Sequence, residues 1–196
     1  MPGSPLLLAS ASPRRRDLLS RAGVAFEVQP SDVDERALPG ESPEEHATRL
    51  AREKALCVAR GSGADPPRWV LGADTIVVLE DRVYGKPADA EEAVRMLAAL
   101  LGRTHRVLTA VALARSDGMA LREIRVESRV TLRSATAPEI RAYVATGEPL
   151  DKAGSYAVQG AGGRFVERVE GSLSNVIGLP LEETLALLEE AGLHGS

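Results

Sequence analysis

Short apolar runs that read as buried strands alternate with amphipathic helical segments along this chain, and a single hairpin signal interrupts the alternation. Leu6-Leu7-Leu8-Ala9 is the first such run. Ser12 suits an N-cap and Pro13 the first helical position, so a helix starts there, carries Leu18 and Leu19, and stops at Gly23. Val24 to Val28 reads as a second strand, followed by a polar loop from Pro30 to Glu41. Ser42-Pro43-Glu44-Glu45 has the form of a capping box and opens a helix running to about Arg60. An exposed loop from Gly61 to Pro67 leads into Trp69 to Leu79, a β-rich stretch interrupted by Gly72-Ala73-Asp74-Thr75. The pair Glu80-Asp81 forms a turn toward Val83-Tyr84.

After Gly85-Lys86-Pro87, the residues Ala93, Val94, Met96, Leu97, Leu100 and Leu101 share one helical face, closed by Gly102. Val107 to Ala114 and Ile124 to Leu132 flank Asp117-Gly118, which marks the hairpin. Thr136-Ala137-Pro138-Glu139 opens a capped helix that ends at Gly147. A glycine-rich segment from Gly154 to Gly163 precedes a strand from Phe165 to Val169, and a last helix runs from Leu181 to Ala191. The expected fold class is therefore α/β with a mixed sheet rather than a strictly parallel one.

A chain of 196 residues fits one domain, or one domain of two lobes around a cleft. Its net charge of −4 removes the electrostatic argument for a nucleic-acid-binding surface. No apolar run approaches the roughly 20 residues needed to cross a bilayer, and the N-terminus lacks the basic start and apolar segment of a signal peptide. Cys57 is the only cysteine, which excludes an intrachain disulfide and argues against a cysteine-based zinc site. These features predict a cytoplasmic protein with no membrane and no nucleic-acid partner. Of the 24 basic residues only Lys54, Lys86 and Lys152 are lysine, and each falls inside a segment with chemical potential.

The strongest of those segments is the β-rich stretch, because Asp74 stands in the middle of Val70 to Val78. A carboxylate there needs a metal, a cation or hydrogen-bond donors, since burying it unpaired costs several kcal/mol. Ser10-Ala11-Ser12-Pro13-Arg14-Arg15 lies at a strand-to-helix junction, where unpaired amides, the helix dipole and two guanidinium groups favour an anion. Asp32-Val33-Asp34-Glu35 is a knot of oxygen ligands suited to a hard divalent cation, although an acidic surface loop has the same composition. Lys54, in Arg52-Glu53-Lys54-Ala55, acts as a point charge on phosphate if it faces a cleft; otherwise it is a surface lysine. Gly85-Lys86-Pro87 holds a lysine between a permissive and a rigid residue. Gln159, in the segment from Glu148 to Gly160, offers both a donor and an acceptor for a nucleobase edge. His46, His105 and His194 have no metal spacing and read as solvated or helix-end residues. Neither the phosphate-loop motif nor the nucleophile elbow is present.

Taken together, Ser10-Ala11-Ser12-Pro13-Arg14-Arg15, Arg52-Glu53-Lys54-Ala55, Leu71-Gly72-Ala73-Asp74-Thr75, Gly85-Lys86-Pro87, Pro149-Leu150-Asp151-Lys152-Ala153-Gly154, Tyr156-Ala157-Val158-Gln159-Gly160 and Asn175-Val176-Ile177-Gly178-Leu179-Pro180 resemble the Maf family of nucleoside triphosphate pyrophosphatases. The Tyr-Ala-Val-Gln-Gly form is similar to its dTTP/UTP subgroup. The resemblance implies one Maf-type domain over residues 1–196. It implies an elongated mixed sheet flanked by helices, with a deep cleft, as in the inosine triphosphatase-like superfamily. The implied reaction is hydrolysis of a nucleoside triphosphate to monophosphate and pyrophosphate with a divalent cation, Mg²⁺ or Mn²⁺. Asp74 carries over as the proton acceptor, with Arg14, Thr75 and Gln159 influencing base selection. Arg15, Glu35, Lys54 and Lys86 carry over as the triphosphate- and metal-contacting set, with Glu35 and Asp74 at the metal and Ser10 at the substrate. A homodimer and action on modified pyrimidine nucleotides are further family expectations. The contrasting expectation is a non-catalytic regulator of septum formation or cell division acting through a partner.

Overall fold

The computed structural model describes residues 6–63 and 65–193. Seven strands are present among them: β1 (Leu6–Leu8), β2 (Phe26–Val28), β3 (Trp69–Leu79), β4 (Arg82–Tyr84), β5 (Thr104–Arg115), β6 (Leu121–Leu132) and β7 (Val166–Glu170). The helices are α1 (Pro13–Arg21), α2 (Pro43–Gly61), α3 (Ala90–Leu100), α4 (Ala137–Val144), α5 (Leu173–Ile177) and α6 (Leu181–Glu190). The sheet order is β2-β1-β3-β5-β6-β7, with β4 paired to β3 off that path. Strand β1 is parallel to β2 and β3, while the β3–β4 and β6–β7 pairs are antiparallel. The sheet is thus mixed, as the interrupted alternation predicts.

The chain divides into two compact units, and strands β3, β5 and β6 contribute residues to both. The first comprises Met1–Asp74, Thr109–Val126 and Gly178–Ser196; the second comprises Thr75–Leu108 and Glu127–Ile177. Side chains alternate across a strand, and in the first unit this alternation separates two jobs. Leu71 and Ala73 join Leu6, Leu8, Leu19, Val111, Leu113, Leu187 and Leu188 in a core beneath α1 and α6. Gly72 and Asp74 point to the opposite face, toward α2. In the second unit Leu97 and Leu100 of α3 and Tyr143 and Val144 of α4 pack with Val77, Val107, Val130, Leu132 and Phe165.

Local rules account for most element boundaries. Ser42 and Thr136 form capping boxes with Glu45 and Glu139, each giving and receiving a hydrogen bond, and Pro43 and Pro138 sit in the first turns. Glu80 and Asp81, with φ of 50° and 63°, make the left-handed turn between β3 and β4. Three features differ from the sequence expectation. Strand β3 runs unbroken through Gly72-Ala73-Asp74-Thr75, because α2 fills the space at Gly72 and a lysine neutralises Asp74. The glycine-rich segment and its approach fold into short 3-10 turns at Glu148–Asp151, Ala153–Ser155 and Ala161–Phe165, and α5 adds a helix that periodicity could not show in so few residues.

The third difference concerns histidine. His105 is 2% exposed on β5, with Nε2 2.7 Å from the Tyr156 hydroxyl, so it is neither solvated nor at a helix end; His46 is buried with Nδ1 3.0 Å from Glu41 Oε2 and stands near the start of α2, where the helix-end reading holds. Both sit in strongly apolar or ion-paired surroundings that a one-residue inspection does not reveal. His194 lies outside the described residues.

Candidate active site

The site grows from the contact between α2 and β3. A Cβ at Gly72 would overlap the Ala51 carbonyl oxygen and lie 2.6 Å from the Ala55 amide nitrogen, so helix and strand backbones touch at this point. Ala47, Ala51, Ala55 and Ala59 keep that helix face shallow. Two residues along β3 from Gly72, on the same face, stands Asp74; next to Ala55 on α2 stands Lys54. Close packing therefore delivers the ammonium to the carboxylate. Lys54 Nζ lies 2.7 Å from Asp74 Oδ1, and the two residues are 8% and 7% exposed. The same nitrogen lies 2.6 Å from Glu35 Oε1, in the loop after β2.

Glu35 is brought there by a second ion pair. Arg49, one turn before Glu53 and Lys54 on α2, donates to Glu41 Oε1 at 2.6 Å and to Glu41 Oε2 at 2.9 Å. It also donates to the Arg36 carbonyl at 3.0 Å, while the Leu38 amide donates to Glu41 at 3.0 Å. The loop is thus stapled to α2 on the C-terminal side of Glu35. Hydrogen bonds from Arg49, outweighing the cost of burial, bring the Glu41 carboxyl down to about 2. Of the acidic knot read from the sequence, Asp34 is occupied by exposed Arg36, and only Glu35 reaches Lys54.

At the start of α1, Ser10 Oγ accepts from the Ser12 amide and from Arg15 Nη1, both at 3.2 Å. The Ser12 side chain makes no cap of its own. Arg15 shares the inward face of α1 with Leu19 and is buried, its Nε donating to the Gly178 carbonyl at 2.8 Å. Burial pushes the Arg15 guanidinium below its usual range, while Asp74 and Glu35 act in the opposite sense and Arg14 adds to the lowering. Arg15 and Lys54 set two cations against the two carboxylates Asp74 and Glu35, and Arg14 adjoins Arg15 on α1.

Ser10, Arg14, Arg15, Glu35, Lys54 and Asp74 all belong to the first unit. Thr75 follows Asp74 on β3, with its side chain on the opposite face. Lys86 and Gln159 belong to the second unit and are exposed, Lys86 next to buried Pro87. Gly85 accepts from the Gly154 amide at 3.1 Å, tying the Gly85-Lys86-Pro87 turn to the segment before Gln159. Lys152 is turned to structural use, donating to the Glu148 carbonyl at 2.9 Å and to Asp151. Asn175 does likewise, bridging the Val107 carbonyl and Ser128 Oγ from its amide nitrogen.

A family model described as Maf-like protein matches residues 5–191. The chain belongs to the Maf family. Relatives support that membership along nearly all of its length. A protein of Anaeromyxobacter dehalogenans named dTTP/UTP pyrophosphatase is 54% identical over 190 residues, covering 95% of this chain and 94% of its own. One of Myxococcus xanthus with the same name is 54% identical, covering 96% and 93%. One of Escherichia coli, again of that name, is 50% identical, covering 93% and 91%. The Ham1 protein of Staphylococcus aureus superposes on 96% of the chain at 12% identity with a TM-score of 0.47, too loose to add to the sheet order of this Maf protein. No helix among the described residues is long and apolar enough to cross a membrane.

Three features escaped the sequence reading: the close approach at Gly72, the Glu41–Arg49 staple, and the Glu148 carboxylate, which accepts from the Tyr143 hydroxyl and the Ala161 and Gly162 amides. A glycine inside a strand pattern is the signal that could have exposed the first. The other two depend on pairings that no spacing rule encodes.

Proposed function

We propose that this Maf protein, acting as one domain over residues 1–196, hydrolyses dTTP and UTP to the monophosphate and pyrophosphate, and extends to modified pyrimidine nucleotides. The observation that carries the reading is the buried ion pair of Asp74 and Lys54 with Glu35 on the same ammonium. A carboxylate kept in an apolar strand is costly for a purely structural protein and useful for chemistry. The names of relatives 50–54% identical over nearly the whole chain support the same substrates.

Water must attack the α-phosphorus in line with the departing pyrophosphate, and the charge that develops must be neutralised. Asp74 orients that water and accepts its proton; Oδ1 is engaged by Lys54, and Oδ2 lies outside that bond. Lys54, Arg14 and Arg15 spread positive charge along the triphosphate, with Ser10 holding the Arg15 fork in place. The family resemblance adds Lys86 on the phosphates and Thr75 and Gln159 on the base. The carboxylates of Asp74 and Glu35 are hard oxygen donors of the kind a divalent cation takes, and both approach the Lys54 ammonium, so an ion there would share them with Lys54. With two protein carboxylates, Mg²⁺ or Mn²⁺ would complete its shell with water and phosphate oxygens, since such an ion keeps several waters. Such an ion, held by Asp74 and Glu35, would polarise the phosphate and lower the pKa of a water. On this reading the enzyme works in the cytoplasm, where its substrates are made and used, and the family suggests a homodimer.

Pyrophosphate release from a panel of nucleoside triphosphates, each with Mg²⁺ and with Mn²⁺, tests the proposal. The expected result is turnover with dTTP and UTP leading the panel. No turnover with any triphosphate would favour a non-catalytic regulator instead.

A further inference from the structure

Glu148 follows Gly147, whose φ of 78° turns the chain at the end of α4, and its side chain folds inward. Three donors converge on its carboxylate. The Tyr143 hydroxyl donates to Oε1 at 2.8 Å, the Gly162 amide to Oε1 at 3.0 Å, and the Ala161 amide to Oε2 at 3.0 Å. Gly160, with φ of 87°, passes so near that a Cβ there would lie 2.8 Å from Oε2. Gly162 is equally enclosed, since a Cβ would overlap the Tyr143 hydroxyl and lie 2.7 Å from the Ala157 carbonyl oxygen. The carboxylate therefore lies directly beneath the backbone that follows Gln159, and both glycines are needed to bring it there. Burial raises the Glu148 pKa, but the two amides and the hydroxyl outweigh it and leave the carboxyl below its ordinary range. Burial, then the Glu148 carboxylate, pushes the Tyr143 phenol up, so the hydroxyl stays a donor.

We propose that Glu148 is a positioning residue for nucleobase selection: by clamping residues 160–162 it fixes the backbone from which Gln159 meets the pyrimidine. This rests on the proposed activity and on Gln159 reading the base. Gln159 is exposed, so its aim is set by backbone rather than by packing of its own side chain. A carboxylate accepts at both oxygens, whereas the carboxamide of Glu148→Gln turns an N–H toward one of these donors and must release it. The side chain's volume is nearly unchanged, so the substitution tests the clamp and not the space.

Steady-state kcat and KM for dTTP, UTP and CTP are measured in the wild type, Glu148→Gln, Tyr143→Phe and Gln159→Ala, with thermal unfolding as the control for folding. Glu148→Gln is expected to reduce the preference for UTP over CTP about tenfold, through KM rather than kcat. Tyr143→Phe, which removes one of three donors, moves the preference the same way by less. Equal losses for all three nucleotides, or an unchanged preference, would overturn the proposal. If Glu148→Gln does not fold, Tyr143→Phe decides by the same two outcomes. A Gln159→Ala variant with wild-type preference would remove the base-reading role on which the clamp depends, and a wild type without turnover would remove the activity itself.

Discussion

At the scale of the residue, the pair formed by Lys54 and Asp74 behaves asymmetrically toward substitution. Lys54→Ala leaves Asp74 buried with its ammonium gone, and breaking a buried pair from one side costs about 3–5 kcal/mol. Asp74→Asn is milder, because Glu35 keeps Lys54 paired at 2.6 Å. Denaturant titration of the two variants should show Lys54→Ala as the less stable by at least about 2 kcal/mol. Equal stability would mean that the carboxylate is better solvated than its burial indicates. This residue was legible in the sequence, since a single charge among Val70, Leu71, Ile76, Val77 and Val78 demands a partner. Which cation would meet it was not legible. Lys54 and Asp74 are twenty positions apart, and only the fold closes that distance.

At the scale of the element, α2 does two things at once. It presses its alanine face on β3 at Gly72, and through Arg49 it holds the loop that carries Glu35. Gly72→Ala should cost about 3 kcal/mol, because the clash is with helix backbone and has no flexible side chain to absorb it. It should also displace Lys54 from Asp74 and lower turnover, and a variant with unchanged stability would contradict the backbone contact. Glu41→Ala removes the acceptor for both the Arg49 fork and the Leu38 amide without touching Glu35. The expected outcome is a fall of about tenfold in kcat/KM for dTTP in a folded protein, of the kind that misplacement of an active-site group produces. Arg49→Lys, which keeps the charge and loses the fork, should act in the same direction. The start of α2 was readable from Ser42-Pro43-Glu44-Glu45, since a capping box is a local rule. The staple was not, because Glu41 and Arg49 read separately as one loop acid and one helix base.

At the scale of the whole molecule, the mixed sheet followed from the interrupted alternation of strands and helices. The hairpin at Asp117-Gly118 joins β5 to β6 as the turn residues indicate, the Arg115 amide bonding the Ala120 carbonyl at 2.9 Å. The burial of His105 was invisible, because one polar residue at the start of a strand carries no pattern. Its consequence is global. Burial lowers the His105 pKa to about 4, and Nδ1 has no hydrogen-bond partner among the described residues. Since the unfolded chain binds the proton more tightly, stability is fully present above about pH 6.5 and is lost as the pH falls toward 4. His105→Gln should flatten the stability profile in that window, and an equally steep profile would assign the slope to other groups.

In the proposed mechanism the carboxylate buried in β3 takes part in the chemistry. Single-turnover hydrolysis of dTTP by Asp74→Asn, with circular dichroism and thermal unfolding showing an intact fold, tests it most directly. The expected rate is at least about a hundredfold below wild type. Pyrophosphate release at the wild-type rate would show that Asp74 only holds Lys54 and takes no proton.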